Sequence, residues 1–549
     1  MLNTRQRGRL LVFSCLSLIM LACGMFGLGA LVLFQHESAA VASAQPANRI
    51  VYGLTFMPSG FDPHINASSE LTIPLRSVYD TLVYRDPQSK GFVPGLAQDV
   101  QVSPDGLVYT FQLKSGVVFH DGTPFDAAAV GATLDRITAP ETQSQKALFM
   151  LGPYDKYVIV DPLTIQIILK RPHAALLDAL AQTYLGIASP KALQEYDRDR
   201  YQLHQVGTGP YQMVEYIPGD YMLLRRNPNY TWGPPFYNLS NSTPVEEIEF
   251  RFFTDPATRA PALETGAVQI MGEISPLDAQ GLARADQFAL VPQPIPGMPF
   301  QFFFNTNRAP TDNLNLRRAL IVATNRVAIV DTIFQQFSPP AYGPLSSVTP
   351  FYDGRVKEYY THDAAAAKRA LGALGYTDSD GDQFLDLNGT KLTLIMLVPA
   401  WSNAPQIAQK IQSQWREIGV DLELRQVPGL AALREAMQTN EYHLLAFNDF
   451  GVDASLLNSF YLSSGPNNWA KFSNGEMDGW LTRAAESIDP IDRQNLYSAV
   501  QGLIMDQALI LPIRDSVNLN GVNKQIGNLQ FDAYGWAPVL VNLTFNKVE

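Results

Sequence analysis

The chain has 549 residues, 46% of them hydrophobic and only 17% charged, so it can bury large cores and is too long for one ordinary domain. A formal charge of -12 argues against nucleic acid as a partner. Both cysteines, Cys15 and Cys23, lie near the start, which excludes disulfides, redox dithiols and thiolate metal sites from everything that follows.

Arg5, Arg7 and Arg9 precede an uncharged apolar run over 10–34, about 25 residues and long enough to span a bilayer. Three fates are open to residues 1–44: an uncleaved anchor, cleavage after Ala42-Ser43-Ala44, or lipidation of Cys23 in Leu21-Ala22-Cys23. Each puts the globular part outside the cytoplasmic membrane, with 39–48 as a tether.

The first strand is expected over 50–56, broken by the turn formers of 58–63. Residues 108–114 alternate with the period of a half-buried strand, Lys114-Ser115-Gly116 turns the chain, and 117–119 returns, which predicts a β-meander. His120 beside Asp121 sits among turn formers with no nucleophile nearby, so it reads as part of the turn. Asp126 is placed to cap a helix starting at Ala127, and Asp363 another over 364–374 that Gly375 ends.

Residues 391–398 then read as a buried strand, Pro405 opens a helix with Ile407, Ile411, Trp415 and Ile418 on one side, and Val420, Leu422 and Leu424 alternate in a second strand. A short helix over 430–438 leads to an apolar strand ending at Phe447. This βαβαβ order makes the three strands parallel, so Trp401 and the stretch 448–453 emerge at one sheet edge, where open α/β sheets bind ligands. Asn448, Asp449, Phe450, Asp453, Trp401 and Trp469 are therefore the candidate ligand-binding residues. By itself the stretch also fits a strand running into a polar surface loop, and Trp401 a residue stacked on its own domain.

Asp378, Asp380, Asp382 and Asp386 have the alternating carboxylates and turn glycine of a calcium loop, without the EF-hand spacing to a terminal Glu. A solvated acidic turn is the simpler reading, and no metal is assigned. The sequence has no Gly-rich phosphate loop, His-Glu-x-x-His or Gly-x-Ser-x-Gly, and its histidines are dispersed, so no cofactor is expected.

A series of short motifs runs through the chain in order. Val102-Ser103-Pro104-Asp105-Gly106 and Phe119-His120-Asp121-Gly122-Thr123-Pro124-Phe125 come first, then Gly207-Thr208-Gly209-Pro210-Tyr211 and Arg226-Asn227-Pro228-Asn229-Tyr230. Phe304-Asn305-Thr306, Leu316-Arg317-Arg318-Ala319-Leu320, Phe472-Ser473-Asn474-Gly475 and Leu509-Ile510-Leu511-Pro512 follow. Together they resemble the family 5 extracellular solute-binding proteins, the peptide/nickel class of ABC importers, over essentially everything after residue 48.

The resemblance implies an α/β periplasmic-binding-protein-like fold (type II, cluster C), with two α/β lobes joined by a hinge and an additional inserted lobe. Lobe I would comprise 45–80, 205–300 and 515–549, lobe II 81–204 and lobe III 301–514. It implies a monomeric extracytoplasmic binding protein, not an enzyme, at the periplasm or cell surface. Such a protein captures di- to oligopeptides by hinge closure and hands them to permease and ATPase subunits, tethered to the membrane through its N-terminal segment. In peptide-binding members an aspartate after the matching strand holds the ligand's amino terminus, and Asp449 stands there. Asp453-Ala454 departs from the family's frequent acidic-Pro pair, and Trp469 is not a fixed family feature. Three other readings stay open: an oligosaccharide stacked on Trp401 and Trp469, a surface hydrolase using Asp449 and Asp453, and a sensory module.

Overall fold

Strand Gly297–Phe304, Gly-Met-Pro-Phe-Gln-Phe-Phe-Phe, is buried at every position, which requires a strand covered on both faces and paired on both sides. The computed structural model describes residues 48–240 and 243–546, and in it this strand lies between antiparallel neighbours Leu444–Phe450 and Ile510–Arg514. Thr393–Pro399 and Asp421–Val427 complete a five-stranded sheet by parallel pairing, as right-handed crossovers dictate. Phe302 and Phe304 enter the core on one face; Phe303 enters the core on the other.

The connecting helix Ala404–Glu417 buries Ala404, Ile407, Ala408, Ile411 and Trp415, a stripe with helical period. Trp415 also donates its indole N–H to Thr324 Oγ1 at 2.9 Å. The helix ends at Gly419, whose φ of +83° is the left-handed conformation that suits glycine after a helix. Helices Leu457–Tyr461, Gly475–Glu486 and Pro490–Asp506 cover the other face.

A seven-stranded sheet is assembled from distant stretches. Arg49–Leu54 runs parallel to Glu247–Phe252 and Ile270–Met271; Tyr211–Ile217 and Tyr221–Arg226 extend one side, and Val517–Asn523 and Phe288–Pro294 the other. One of its faces shares a core with an antiparallel four-stranded sheet in the order Ala97–Val102, Val108–Leu113, Thr164–Leu169, Tyr154–Asp161. The five-stranded part has cores of its own, and the chain passes between the two parts at 295–296 and again at 515–516.

Two expectations about elements need correction. Residues 117–119 do not return as a meander strand: Thr164–Leu169 occupies that side of Val108–Leu113, and 117–125 folds into a tight loop with a single Val118–Pro124 bridge. The apolar run ending at Phe447 continues as strand to Phe450, because Asp449 and Phe450 pair with Met298 and Gly297. Asp126 and Asp363 cap their helices as the sequence suggests, accepting from Ala129 N at 3.0 Å and Ala366 N at 2.8 Å. The N-terminal apolar run and its processing sites lie outside the described residues; among those described, no helix is long and apolar enough to cross a membrane.

Candidate functional site

Along strand Leu444–Phe450, burial declines in sequence: Leu444, Leu445 and Ala446 are buried, Phe447, Asn448 and Asp449 half-buried, and Phe450 exposed. The strand leaves the core and delivers its last residues to a space with a cavity volume of about 70 Å³, partly open to solvent, where the two parts face each other. That is below the roughly 300–1,000 Å³ typical of small-molecule sites. Phe450 and Gly451 form one wall; Lys146, Tyr184, Tyr534 and Trp536 belong to the opposite part.

Phe450 stacks on Trp536 across this space, with ring centres 6.2 Å apart and planes at 23°. Trp536 is presented by a turn closed by Asp532 N–H to Ala537 O at 2.8 Å and Gly535 N–H to Asp532 O at 2.9 Å. Gly535 has φ +73°, and any Cβ there would lie 2.6 Å from the Pro294 carbonyl oxygen, so the turn needs glycine. Tyr534, on the same turn, donates its hydroxyl to Asp178 Oδ1 at 3.0 Å; Asp178 in turn accepts from Arg85 Nε at 2.6 Å. Asp532 is raised above its ordinary carboxylate range by burial, partly offset by the nearby Arg76.

Among the described residues, Asp449 accepts one hydrogen bond, from the Phe450 backbone N–H at 2.9 Å, and makes no ion pair. Burial raises its pKa, against the lowering effects of that N–H and of Lys146. Across the space, the Lys146 ammonium lies 4.2 Å from the centre of the Tyr184 ring.

The other sequence candidates sit differently. Asp453 is 8% exposed, and both its oxygens accept from Arg493 Nη2, at 2.7 and 2.9 Å, while it caps the next turn through Ser455 N. Its carboxylate is therefore occupied within the protein, which removes it as a ligand contact and as the second acid of a hydrolase. Trp469 is fully buried against Phe303, Phe447 and Phe460, so it stacks in the core and cannot reach a ligand. Trp401 packs edge-on against Phe447 at 6.4 Å, and neither it nor Asn448 is among the residues that line this space.

Asp378, Asp380 and Asp382 bring exposed carboxylate oxygens within 4.8 Å of one another, where they also accept turn N–H groups. Asp386 is not a fourth member, because its oxygens accept from Ser379. His120 and Asp121 are not bonded to each other: His120 Nε2 lies 2.9 Å from Gly209 O, and Asp121 accepts from Ser189 Oγ at 2.6 Å.

The sequence reading missed Lys146, Tyr534 and Trp536. A glycine between two aromatic residues, Tyr534-Gly535-Trp536, is a detectable signal for an exposed aromatic turn. Lys146 had no such signal.

Residues 91–471 match the model of the bacterial extracellular solute-binding proteins, family 5 Middle. The glutathione-binding protein GsiB of Salmonella paratyphi A is 31% identical over 437 residues, covering 76% of this chain and 79% of that protein. GsiB of Pectobacterium atrosepticum is 31% identical over 478 residues, covering 84% and 86%. Among solved structures, NikA of Brucella suis in complex with Fe(III)-EDTA superposes with a TM-score of 0.80 at 21% identity, over 91% of this chain and 100% of that one. A dipeptide-binding protein of Pseudoalteromonas in complex with Met-Leu does so with a TM-score of 0.72 at 21% identity, over 91% and 100%. The fold is thus the periplasmic-binding-protein-like α/β fold, and the chain belongs to the family 5 extracellular solute-binding proteins of ABC importers.

Proposed function

We propose that this protein captures short peptides in the space between its two parts and delivers them to a membrane permease, with Asp449 holding the ligand's amino group. The observation that carries this reading is the Asp449 carboxylate: half-buried, bonded to a single N–H and paired with no cation among the described residues, next in the chain to Phe450 and Gly451, which line the space between the parts. A carboxylate so placed gains most from a bound ammonium, because a charge-assisted hydrogen bond would offset the desolvation it already suffers. The aromatic lid of Phe450 and Trp536 suits side chains of varied shape. The glutathione-binding relatives and the dipeptide complex among the structural neighbours support a peptide-like ligand.

The lobe division given above, 45–80 with 205–300 and 515–549, 81–204, and 301–514, is part of this proposal. Closure would turn about the crossings at 295–296 and 515–516. The parts also meet away from these crossings, through Ala174 N–H to Ala485 O at 2.8 Å. The protein acts as a monomer outside the cytoplasmic membrane, tethered by its N-terminal segment, and binds its ligand without transforming it.

Calorimetric titration of wild type and Asp449→Asn with a dipeptide and its N-acetyl derivative tests the anchor. The Asn variant should lose about thirty-fold to several thousand-fold in affinity, or 2 to 5 kcal/mol. N-acetylation should cost wild type heavily and the variant little, since both changes remove one ion pair. Independent, additive losses would remove Asp449 from the site.

A further inference from the structure

Where the chain crosses between its two parts at 515–516, three consecutive residues, Arg514, Asp515 and Ser516, are all less than a tenth exposed. Each has a buried side-chain atom that no described group bonds: Arg514 Nε, Asp515 Oδ1 and Ser516 Oγ. The backbone of the crossing, by contrast, is tied down. Asp515 N–H donates to Pro339 O at 2.9 Å, Asp515 O accepts from Ser338 Oγ at 2.6 Å, and Ser516 O accepts from Ile295 N at 2.9 Å. The last bond joins this crossing to the one at 295–296, so the chain path is held while its side chains are left short of partners.

Arg514 and Asp515 adjoin in sequence but form no ion pair with each other or with any described group. Arg514 donates Nη1 to Ser338 Oγ at 3.0 Å and lies over the Phe334 ring at 4.1 Å. Asp515 Oδ2 accepts from Ser347 N at 2.9 Å and Ser347 Oγ at 2.6 Å. Arg317 shows what a compensated buried guanidinium looks like, donating to the carbonyls of Thr311, Asp312, Gln507 and Ala508. Burial is the largest effect on both crossing residues, bringing Arg514 down to about 10 and raising Asp515. Their mutual attraction does not offset it, nor do Glu273 acting on the arginine and the Ser347 bonds and Lys357 acting on the aspartate.

In the arrangement described the two parts touch, through Phe450 on Trp536 and through Ala174 N–H to Ala485 O. Turning them apart about the crossings would admit water to the side chains of 514–516, and a hydrated polar group no longer bears the cost of standing unpaired. We infer that residues 514–516 act as a spring: their uncompensated side chains raise the free energy of the arrangement in which the parts touch, and a bound ligand holds the parts together against it. This inference rests on the closure reading and adds the residues that set its balance. Removing a polar atom here should therefore strengthen binding, because affinity is reduced by whatever part of the binding free energy is used to close the protein.

Small-angle scattering without ligand and calorimetric titration with Met-Leu and glutathione test this on wild type, Ser516→Ala and Asp515→Asn. Thr324→Ala is the control, since it removes a buried hydroxyl that is bonded within one part, to the Trp415 indole. Ser516→Ala and Asp515→Asn should each bind about fivefold or more tighter than wild type and have a smaller radius of gyration without ligand. Thr324→Ala should change neither. If wild type contracts at saturating ligand but both variants bind and scatter as it does, the spring is overturned and closure stands. A wild-type radius that bound ligand leaves unchanged overturns closure and the spring together. If neither peptide binds, the radii without ligand decide alone: smaller in the variants upholds the spring, and equal overturns it. Should one variant fail to fold, the other carries the same comparison.

Discussion

Asp449 and Asp453 are four residues apart, and the protein treats their charges in opposite ways. Asp453, past the end of the strand, is gripped on both oxygens by Arg493, which also donates Nε to Ala484 O at 3.0 Å and lies over the Phe351 ring at 4.7 Å. Asp449, still in the strand, has one backbone N–H and a distant lysine. Burial is the largest effect at both, yet Asp453 is lowered because Arg493 and Ser455 together outweigh it, while Asp449 is raised because its one N–H and Lys146 do not. A carboxylate that holds the fold together is fully compensated within the chain. Asp449 is left short of a partner, and in the proposed function that shortfall is what a ligand's ammonium would meet.

Removing the compensation at Asp453 should give the largest effect. Arg493→Met leaves a buried carboxylate without its cation and should cost about 3–5 kcal/mol of stability in urea unfolding. Replacing both partners, Asp453→Leu with Arg493→Met, should recover much of that loss, since a buried pair exchanged for apolar groups is often neutral. The pH dependence follows from the lowered pKa of Asp453. Its contribution is fully present above the unfolded carboxylate range and is lost as pH falls through the folded value, so acid should destabilise wild type more than the double variant. An Arg493→Met protein as stable as wild type would erase the contrast between the two aspartates.

Glu70 extends the comparison to a third case, a buried carboxylate held by N–H groups without a cation. It is 2% exposed and accepts from Thr55 N, from Thr55 Oγ1 at 3.2 Å and from Phe56 N at 3.2 Å. Burial first and Glu273 second raise its pKa to about 7, against the lowering effect of those N–H groups. A raised carboxylate pKa means stability that is complete below the unfolded value near 4.5 and lost as pH rises through 7. Between pH 5 and 8 wild type should lose on the order of 3 kcal/mol relative to Glu70→Gln, measured by urea unfolding of both at each pH. Parallel pH profiles would show that the N–H groups compensate the charge after all.

How far these differences could be read in the sequence follows from what each depends on. The parallel order of 393–399, 421–427 and 444–450 was legible, because apolar period and crossover handedness are local properties. The strand order put Asp449 at the sheet edge, while its proposed role as an amino anchor came only through the motif series. Asp453 looked equivalent to it, because its partner Arg493 lies 40 residues further on and no local pattern announces a buried pair. Trp469 looked like a stacking surface for the same reason: its partners Phe303 and Phe447 come from distant strands. Lys146, Tyr534 and Trp536 reach the space from the other part of the molecule, a juxtaposition that only the fold creates.

Asp449→Asn offers a smaller and more diagnostic effect in the absence of ligand. Because the carboxylate's pKa is raised, its charge costs stability as pH rises through that value, and the neutral amide avoids the cost. The variant should therefore unfold at the same or a slightly higher temperature than wild type at pH 7, with the difference vanishing in acid. A clear destabilisation at pH 7 would mean that Asp449 is compensated like Asp453.

The smallest expected effect lies at the outer contact between the two parts, where the Ala174 to Ala485 hydrogen bond is flanked by Arg171 and Glu486, 3.4 Å apart. This pair is 61% and 36% exposed, so solvent screens it and its worth should be about 0.2–1 kcal/mol. If closure precedes tight binding, any destabilisation of the closed arrangement appears in full as weaker affinity, since ligand must then supply it. Arg171→Ala should accordingly weaken peptide binding by at most about fivefold, without changing the preference for a free amino group. The loss should be largest at low ionic strength and fade as the Debye length shrinks to about 3 Å near 1 M salt. A loss that persists unchanged in salt would assign the effect to the packing of the arginine stem. A change in amino-group preference would place Arg171 in contact with the ligand and join two regions that the charge arrangement keeps apart.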